Sequence, residues 1–332
     1  MPGRRILITG IASYLGTELA RRLEADPSVE YVAGLDTRKP RASLERVDFI
    51  EADIRNPVIL KLIAPTKVDT IVHNQIVRQP ANEGYSPRKA HDVNVIGSLQ
   101  LLAAAEKAET VRSIVIRGSA GIYGAEPAAP QFFTEDMSRL YPLRSRFQRD
   151  VGEIENLFET YRRRHPHVTC TMLRYQPSIG VAHDTQVTRY LGMPLVPTYL
   201  GFDPRMQFVH ESDALEAFVA AVLNPVPGAV NVAGPGTIGL TRMIRLAGKL
   251  SVPIAGPLFP SVTGVGKRLG LVDFSPDFRR LLRYGRAVDT RRLTEEIGFK
   301  PRYDAVEAVL DYARHQGARR VTPSVRPAVG AR

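Results

Sequence analysis

Apolar residues fall in short runs separated by longer stretches in which they recur every three or four positions. The runs Ile6-Leu7-Ile8, Tyr31 to Leu35, Val47 to Ile50, Val68 to Val72, Ser113 to Ile116 and Val168 to Leu173 read as strands. The stretches near Leu15 to Leu23, Val93 to Ala105 and Ile154 to Tyr161 are amphipathic and long enough to cross over a sheet. Such alternation predicts an α/β fold, a doubly wound parallel sheet with helices on both faces. After about Pro177 the pattern changes. Pro and Gly become frequent, as in Gly192-Met193-Pro194 and Pro225-Val226-Pro227-Gly228, and the elements shorten. The expected division is a sheet domain over 1–176, a smaller irregular C-terminal lobe over 177–320 interleaved with it, and a mobile tail over 321–332 rich in Pro, Gly and Arg.

The length of 332 residues suits one large unit or two joined ones. A single cysteine, Cys170, excludes an internal disulfide framework or a cysteine-based zinc cluster and fits a reducing cytoplasm. No apolar run approaches the length of a membrane span, so the expectation is a soluble, cytoplasmic protein without a membrane partner. The net charge of +11 attracts anions without choosing among them. Its basic residues are dispersed and lack interleaved aromatics, so nucleic acid is not an expected partner.

The first strand leads through Gly10-Ile11-Ala12-Ser13-Tyr14-Leu15-Gly16 into a helix. Gly10 can take the angles of a tight turn, and the bare Cα of Gly16 lets the helix pack closely on the strand. The amides at the helix start, aided by its dipole, then suit a pyrophosphate. Twenty residues past Gly16, Asp36 ends the second strand, where a carboxylate can accept hydrogen bonds from an adenosine ribose. This is a Rossmann-type arrangement for NAD. Arg38 and Lys39 keep NADP open, because a cation at that point can hold a 2′-phosphate.

Further blocks follow in order. Glu51-Ala52-Asp53-Ile54-Arg55 comes after the third strand, Asn94-Val95-Ile96-Gly97-Ser98 opens a helix, Gly118-Ser119-Ala120-Gly121-Ile122-Tyr123-Gly124 follows the fifth strand, and Arg174-Tyr175-Gln176-Pro177 the sixth. Gln207 to Asp213, Val230 to Gly234, Val288-Asp289-Thr290 and Gly298-Phe299-Lys300-Pro301 complete the set. The order resembles the extended short-chain dehydrogenase/reductase family, in its NAD-dependent epimerase/dehydratase branch and the UDP-glucose 4-epimerase-like subgroup. The resemblance implies a cofactor held by Gly10, Ala12, Ser13, Tyr14, Leu15 and Gly16, and by Asp36 with Arg38 beside it. It adds Asp53 and Ile54 at the adenine, Asn74, Gln75, Ile76 and Arg78 after the fourth strand, and Asn94, Gly118, Tyr175 and Pro177. Ser119 is implied beside the nicotinamide, where its hydroxyl polarises a substrate oxygen; as a lone strand-end serine it would make only a local turn bond. Arg78 is balanced between a pyrophosphate contact and a solvated side chain.

The chain departs from the family pattern in three places. Ser13 replaces the middle glycine of the turn, adding a hydroxyl that could bond a phosphate. The family's tyrosine and lysine, one helical turn apart, fall on Phe147 and Val151, neither of which transfers a proton. Tyr141 and Tyr123 are the tyrosines close in sequence to the site. The arginine expected before the Phe208-Val209-His210 block falls on Met206, with Arg205 one residue early and Arg283 or Arg286 as substitutes by position. His73 and His210 lie in apolar strand contexts and read as core residues. The expected activity is an atypical NAD-dependent epimerase/dehydratase-like oxidoreductase acting on a small, nucleotide-sugar-like substrate, and a homodimer is compatible with this. Two alternatives stand beside it: a non-catalytic NAD(P)-binding sensor or scaffold, and a hydroxysteroid or alcohol dehydrogenase-like enzyme.

Overall fold

The computed structural model describes residues 3–40, 42–78, 84–138, 140–182, 184–259, 261 and 274–321. Apart from Val321, the expected C-terminal tail lies outside the described residues. Six strands, β1 (Arg4–Thr9), β2 (Val29–Asp36), β3 (Val47–Glu51), β4 (Thr70–His73), β5 (Ser113–Ser119) and β6 (Thr169–Tyr175), sit where the apolar runs place them. A seventh, Gly228–Val232, returns from the second half of the chain to join β6. The parallel sheet has the order β3-β2-β1-β4-β5-β6 and then Gly228–Val232, so strand order reverses between β1 and β4. In open α/β sheets, ligands bind outside the carboxyl ends of the strands at such a reversal.

Period-two alternation explains why these strands read as continuous apolar runs. Leu7, Ile71, Ile114 and Met172 face one way; of the helices that follow α1 (Tyr14–Glu24), namely α2 (Ile59–Thr66), α3 (Pro87–His91), α4 (Gly97–Lys107) and α5 (Arg146–Arg164), the last two cover them with Leu101, Ala105, Ile154 and Phe158. Ile6, Ile8, Val72 and Leu173 face the other way, under Leu19 and Leu23 of α1 (Tyr14–Glu24) and Phe218 of the helix Glu211–Leu223. Cys170 is buried in the first of these cores, and burial pushes its thiol up to about 12. α5 starts eight residues before its apolar periodicity becomes visible. Ser145 and Gln148 form a capping box there, each side chain bonding the other's backbone amide. The helix expected from Val93 begins instead with a π-helical turn, Asp92–Ile96, that leads into α4.

The second lobe has its own core, built from the helices Gln186–Gly192, Leu240–Leu246, Pro276–Tyr284 and Ala305–Val321 through Tyr190, Met243, Phe278 and Val309. Its strands come in short pairs, Ser178–Ile179 with Val209–His210, Arg205–Met206 with Ile238–Gly239, and Leu195–Tyr199 with Leu250–Ile254. No helix among the described residues is long and apolar enough to cross a membrane.

The interior is pinned by polar residues at the strand reversal. His73 is fully enclosed, with Nδ1 2.8 Å from the Thr9 hydroxyl and Nε2 2.8 Å from Ser98 Oγ. Ser98 gives its own proton to Asn94 O, so Nε2 carries the ring hydrogen and Nδ1 accepts from Thr9. Burial lowers the His73 pKa to about 4, against about 6.5 in an unfolded chain. Between these values the unfolded chain binds a proton that the folded chain refuses, so this stabilisation is complete above about pH 6.5 and is lost as the pH falls toward 4. We expect His73→Gln to lose about 2 kcal/mol less stability than wild type between pH 7 and pH 5 in urea denaturation. Equal losses in the two proteins would remove His73 from the acid response.

Candidate active site

The carboxyl ends of β1, β2, β4, β5 and β6 open into a cleft of 790 Å³ that continues between the sheet and the second lobe. Its first wall is the turn after β1. Gly10 has φ +70°, and a Cβ there would come within 2.9 Å of Gln75 Cα. At Gly16 a Cβ would lie 2.3 Å from the Gly10 carbonyl oxygen, so α1 approaches β1 as closely as backbone allows. Ser13, at the helix N-cap, donates to Gly10 O at 2.8 Å and accepts from Gly16 N at 3.1 Å. Asn74 Nδ2 reaches the same two oxygens, at 2.9 Å from Ser13 Oγ and 3.1 Å from Gly10 O. The Ser13 hydroxyl serves here as the cap of α1. Ser13, Tyr14 and Leu15 line the cleft, and the first-turn amides of a helix suit an anion.

Asp36 lines the cleft at the end of β2, where its carboxylate accepts from Ala12 N at 3.1 Å and Arg38 N at 3.3 Å. Arg38 lines it too. On the other side stand Asn74, Gln75, Ile76 and Arg78 after β4, Ser119 at the end of β5, Tyr175 at the end of β6 and Pro177 just beyond it. Gln75 Oε1 is a buried acceptor without a hydrogen-bond partner among the described residues. Arg78 donates to Gly118 O at 3.3 Å. Ser119 faces the cleft and also makes a local turn bond, accepting from Gly121 N at 3.1 Å. Phe147 lines the cleft beside it, since an added Cβ on Gly121 would lie 3.1 Å from Ser119 Oγ and 3.8 Å from Phe147 Cε1. The second lobe closes the far side with Thr185 to Val187, Asp277, Phe278 and Arg286.

Several expected residues stand elsewhere. Tyr123 is not a proton donor to the cleft: it is buried, stacked on Phe133 at 4.8 Å, donates to Asn231 Oδ1 at 2.7 Å and accepts from Arg174 Nη1 at 2.9 Å. Burial pushes its phenol up to about 12. Tyr141 is also directed away and donates to Ala128 O at 2.7 Å. Val151 is 1% exposed in an apolar cluster with Ala120, Ile122 and Phe133. Asp53 is gripped by Arg55 at 3.0 Å, which holds its carboxyl below the usual range, and neither it nor the enclosed Ile54 lines the cleft. Asn94 braces rather than lines: it bonds Val77 N and O at 2.7 and 3.1 Å and Asp150 at 3.0 Å. Gly118 and Gly16 serve close packing, against Met172 Sδ and Gly10 O respectively. Ala12 contributes its amide to Asp36. Of the candidate substrate arginines only Arg286 faces the cleft; Arg283 lies over the rings of Phe202 and Tyr284, and Arg205 is exposed. His73 and His210 are structural, His210 accepting the helix-capping bond of Ser212 N and stacking on Tyr303 at 3.9 Å.

Among the cleft residues, the sequence did not single out Arg117 or Asp277, and it offered Arg286 only as a substitute by position. Arg117 precedes Ser119 by two positions on β5, so strand alternation places both on one side; it donates to Asn74 Oδ1 at 3.2 Å. Asp277 and Arg286 come from the second lobe, and their place depends on packing across more than 100 residues of chain. Burial raises the Asp277 pKa, opposed by the Ser145 hydroxyl and by Arg286, Arg280 and Arg149. Arg286 is drawn down to about 10 by burial, with Asp277 opposing. No cluster of three metal-ligating side chains occurs among the described residues.

Residues 6–233 match the model of the NAD dependent epimerase/dehydratase family. A Mycobacterium tuberculosis protein described only as uncharacterised is 36% identical over 97% of this chain and 86% of its own length. The chain belongs to the NAD dependent epimerase/dehydratase family. Its fold is shared with UDP-glucose 4-epimerase of Thermotoga maritima solved with UDP-glucose (17% identity, TM-score 0.72, covering 95% of this chain and 99% of that one). It is also shared with dTDP-glucose 4,6-dehydratase of Bacillus anthracis solved with NAD (16% identity, TM-score 0.70, 95% and 97% coverage).

The placement of Tyr123 has a direct consequence. Tyr123→Phe should cost roughly 1–3 kcal/mol by stranding Arg174 and Asn231, and should leave the affinity of a cleft-bound nucleotide within about twofold. Thermal unfolding and calorimetry read the two effects; a lost affinity with unchanged stability would return Tyr123 to the cleft.

Proposed function

We propose that the chain is an NAD-dependent oxidoreductase of the epimerase/dehydratase type, acting on a nucleotide-sugar-like substrate held between Ser119 and the second lobe. The observation that carries the reading is the continuity of one cleft from the glycine turn and Asp36, past Ser119, to Asp277 and Arg286. The residues present fit the cofactor. Gly10 and Gly16, whose added Cβ atoms would strike Gln75 and the Gly10 carbonyl, let the turn and α1 close into a cradle of first-turn amides at the cleft; Asp36 stands at the end of β2 where a ribose would be accepted, and the orphaned Gln75 Oε1 suits a hydroxyl donor. Ser13 to Leu15 and Arg78 would hold the pyrophosphate, Tyr175 and Pro177 the nicotinamide end, and Ser119 a substrate oxygen. NAD, when bound, supplies hydride acceptance and return. NAD and nucleotide sugars named with the solved neighbours support this choice.

A second reading, NAD binding without turnover, is favoured by the apolar side chains at 147 and 151, since positioned acid–base groups contribute on the order of 10² to 10⁴ in rate. Substrate-dependent reduction of NAD separates the two.

Calorimetry should find tighter binding of NAD than of NADP. Asp36→Ala should weaken NAD about 10- to 150-fold, the equivalent of roughly 1.5–3 kcal/mol for a charge-assisted hydrogen bond. Gly16→Val should abolish binding while circular dichroism stays native. A preference for NADP would assign the choice to Arg38, and an unimpaired Gly16→Val would sink the cradle.

A further inference from the structure

The apolar Phe147 and Val151 leave α5 without a proton carrier, so the other acidic groups facing the cleft become the candidates. Among the described residues the carboxyl groups are Asp36, Asp184 and Asp277; the phenols of Tyr14, Tyr85 and Tyr175 also line the cleft, but burial pushes Tyr14 and Tyr175 up and Tyr175 donates to Ala214 O at 3.1 Å. Asp36 serves the glycine turn, and Asp184 is an exposed partner of Arg189. Asp277 is placed differently. It lies in the first turn of the helix Pro276–Tyr284, whose start is fixed by Ser275 accepting from Phe278 N and by Pro276 at the first helical position. From there its Oδ2 accepts a 2.5 Å hydrogen bond from Ser145 Oγ. Ser145 caps α5 two residues before Phe147, so the second lobe delivers a carboxylate to the part of α5 that borders Ser119.

Arg286 lines the same cleft and its charge faces Asp277. It is oriented by neutral acceptors, Gln176 Oε1 at 3.2 Å and Gly124 O at 3.3 Å, with no carboxylate in ion-pair contact among the described residues. The other charges facing Asp277 are Arg280 on its own helix and Arg149 on α5. Arg280 is engaged by Glu126, which Arg144 also contacts at 3.0 Å. A carboxyl raised by burial and restrained by a nearby fixed cation is poised for proton exchange.

We propose that Asp277 is the proton carrier of this cleft, held in place by Ser145 and faced by Arg286 as the fixed cation. A ligand hydroxyl held by Ser119 breaks its O–H bond, the electron pair stays on the ligand oxygen, and the proton forms a bond to Asp277 Oδ1; the reverse step returns it. Arg286 steadies the negative charge on whichever partner carries it. The pair thus takes the place that the resemblance assigns to a tyrosine and a lysine, but comes from the opposite wall. Ser145 is a positioning residue. The assignment rests on the oxidoreductase reading above, of which it is the acid–base half.

The test uses the full chain loaded with NAD. Asp277→Asn preserves an acceptor for Ser145, so NAD affinity and thermal midpoint should stay at wild-type values. A carboxyl-carbon resonance absent from Asp277→Asn should titrate above the ordinary aspartate value of about 3.9 and move higher still in Arg286→Met. In single turnovers with UDP-glucose, UDP-galactose or UDP-glucuronate, formation of reduced nicotinamide should rise with pH along that same titration. It should fall roughly 100-fold or more in Asp277→Asn and recover in part in Asp277→Glu. Equal turnover by wild type and Asp277→Asn, or an ordinary titration indifferent to Arg286, overturns this assignment alone. Wild type that binds NAD and reduces none of it with any of the three at any pH overturns the oxidoreductase reading and this assignment together.

Discussion

The cleft depends on the closeness of α1 to β1. That closeness exists because Gly16 presents no Cβ to the Gly10 carbonyl, 2.3 Å from where one would stand. The same carbonyl accepts from Ser13 and Asn74, so the turn is fastened both to the helix it starts and to the neighbouring strand β4. Asn74 in turn accepts from Arg117 on β5. A chain of short polar contacts thereby carries the geometry of the turn across three strands to the position two residues before Ser119. Replacing the usual glycine by Ser13 does not disturb this arrangement, because the hydroxyl takes the role of an N-cap and adds a contact to the turn.

A second set of contacts decides what faces that turn. Glu126, 7% exposed, sits between Arg144 of the sheet domain and Arg280 of the second lobe. Asp277 bonds Ser145, and Arg286 bonds Gly124 and Gln176. Partly buried charges of this kind contribute little net stability after desolvation, and their directionality matters more. They fix the angle at which the lobe meets α5, and so fix which lobe side chains can reach a ligand beside Ser119.

Much of this fold was legible because sheet strands covered on both faces are uniformly apolar and the crossovers are amphipathic. The glycine turn and Asp36 were legible because backbone constraints leave few residue choices. The second lobe was not: its paired strands are two to five residues long, its core draws on four helices far apart in sequence, and no period marks either. Tyr123 shows the limit of reading by proximity. It lies four residues from Ser119, yet the single 3₁₀ turn Ala120–Tyr123 carries its ring to Phe133 and Arg174, away from the cleft. Arg117 was within reach of strand alternation and Arg286 was one of two positional candidates that the tertiary structure separated, whereas Asp277 required the tertiary structure outright.

Val151 bears on what sort of departure from the family this is. It is packed with Ala120, Ile122, Phe133 and Val288, so an ammonium at its position would enter an apolar cluster that has closed around a valine. Burying an unpaired charge there costs several kcal/mol, so a lysine at the position the resemblance assigns to it would require repacking of the α5 start and not a single substitution. Phe147 lines the cleft and is half-buried, packed against the edge of that same cluster. Acid–base chemistry through α5 alone would therefore have to undo a core, while the second lobe already places a carboxyl and a guanidinium, Asp277 and Arg286, on the same cleft. If Asp277 carries the proton as proposed, a cleft that keeps its glycine turn and its serine and takes titratable groups from the lobe meets the physical requirements of hydride chemistry without a proton carrier at positions 147 and 151.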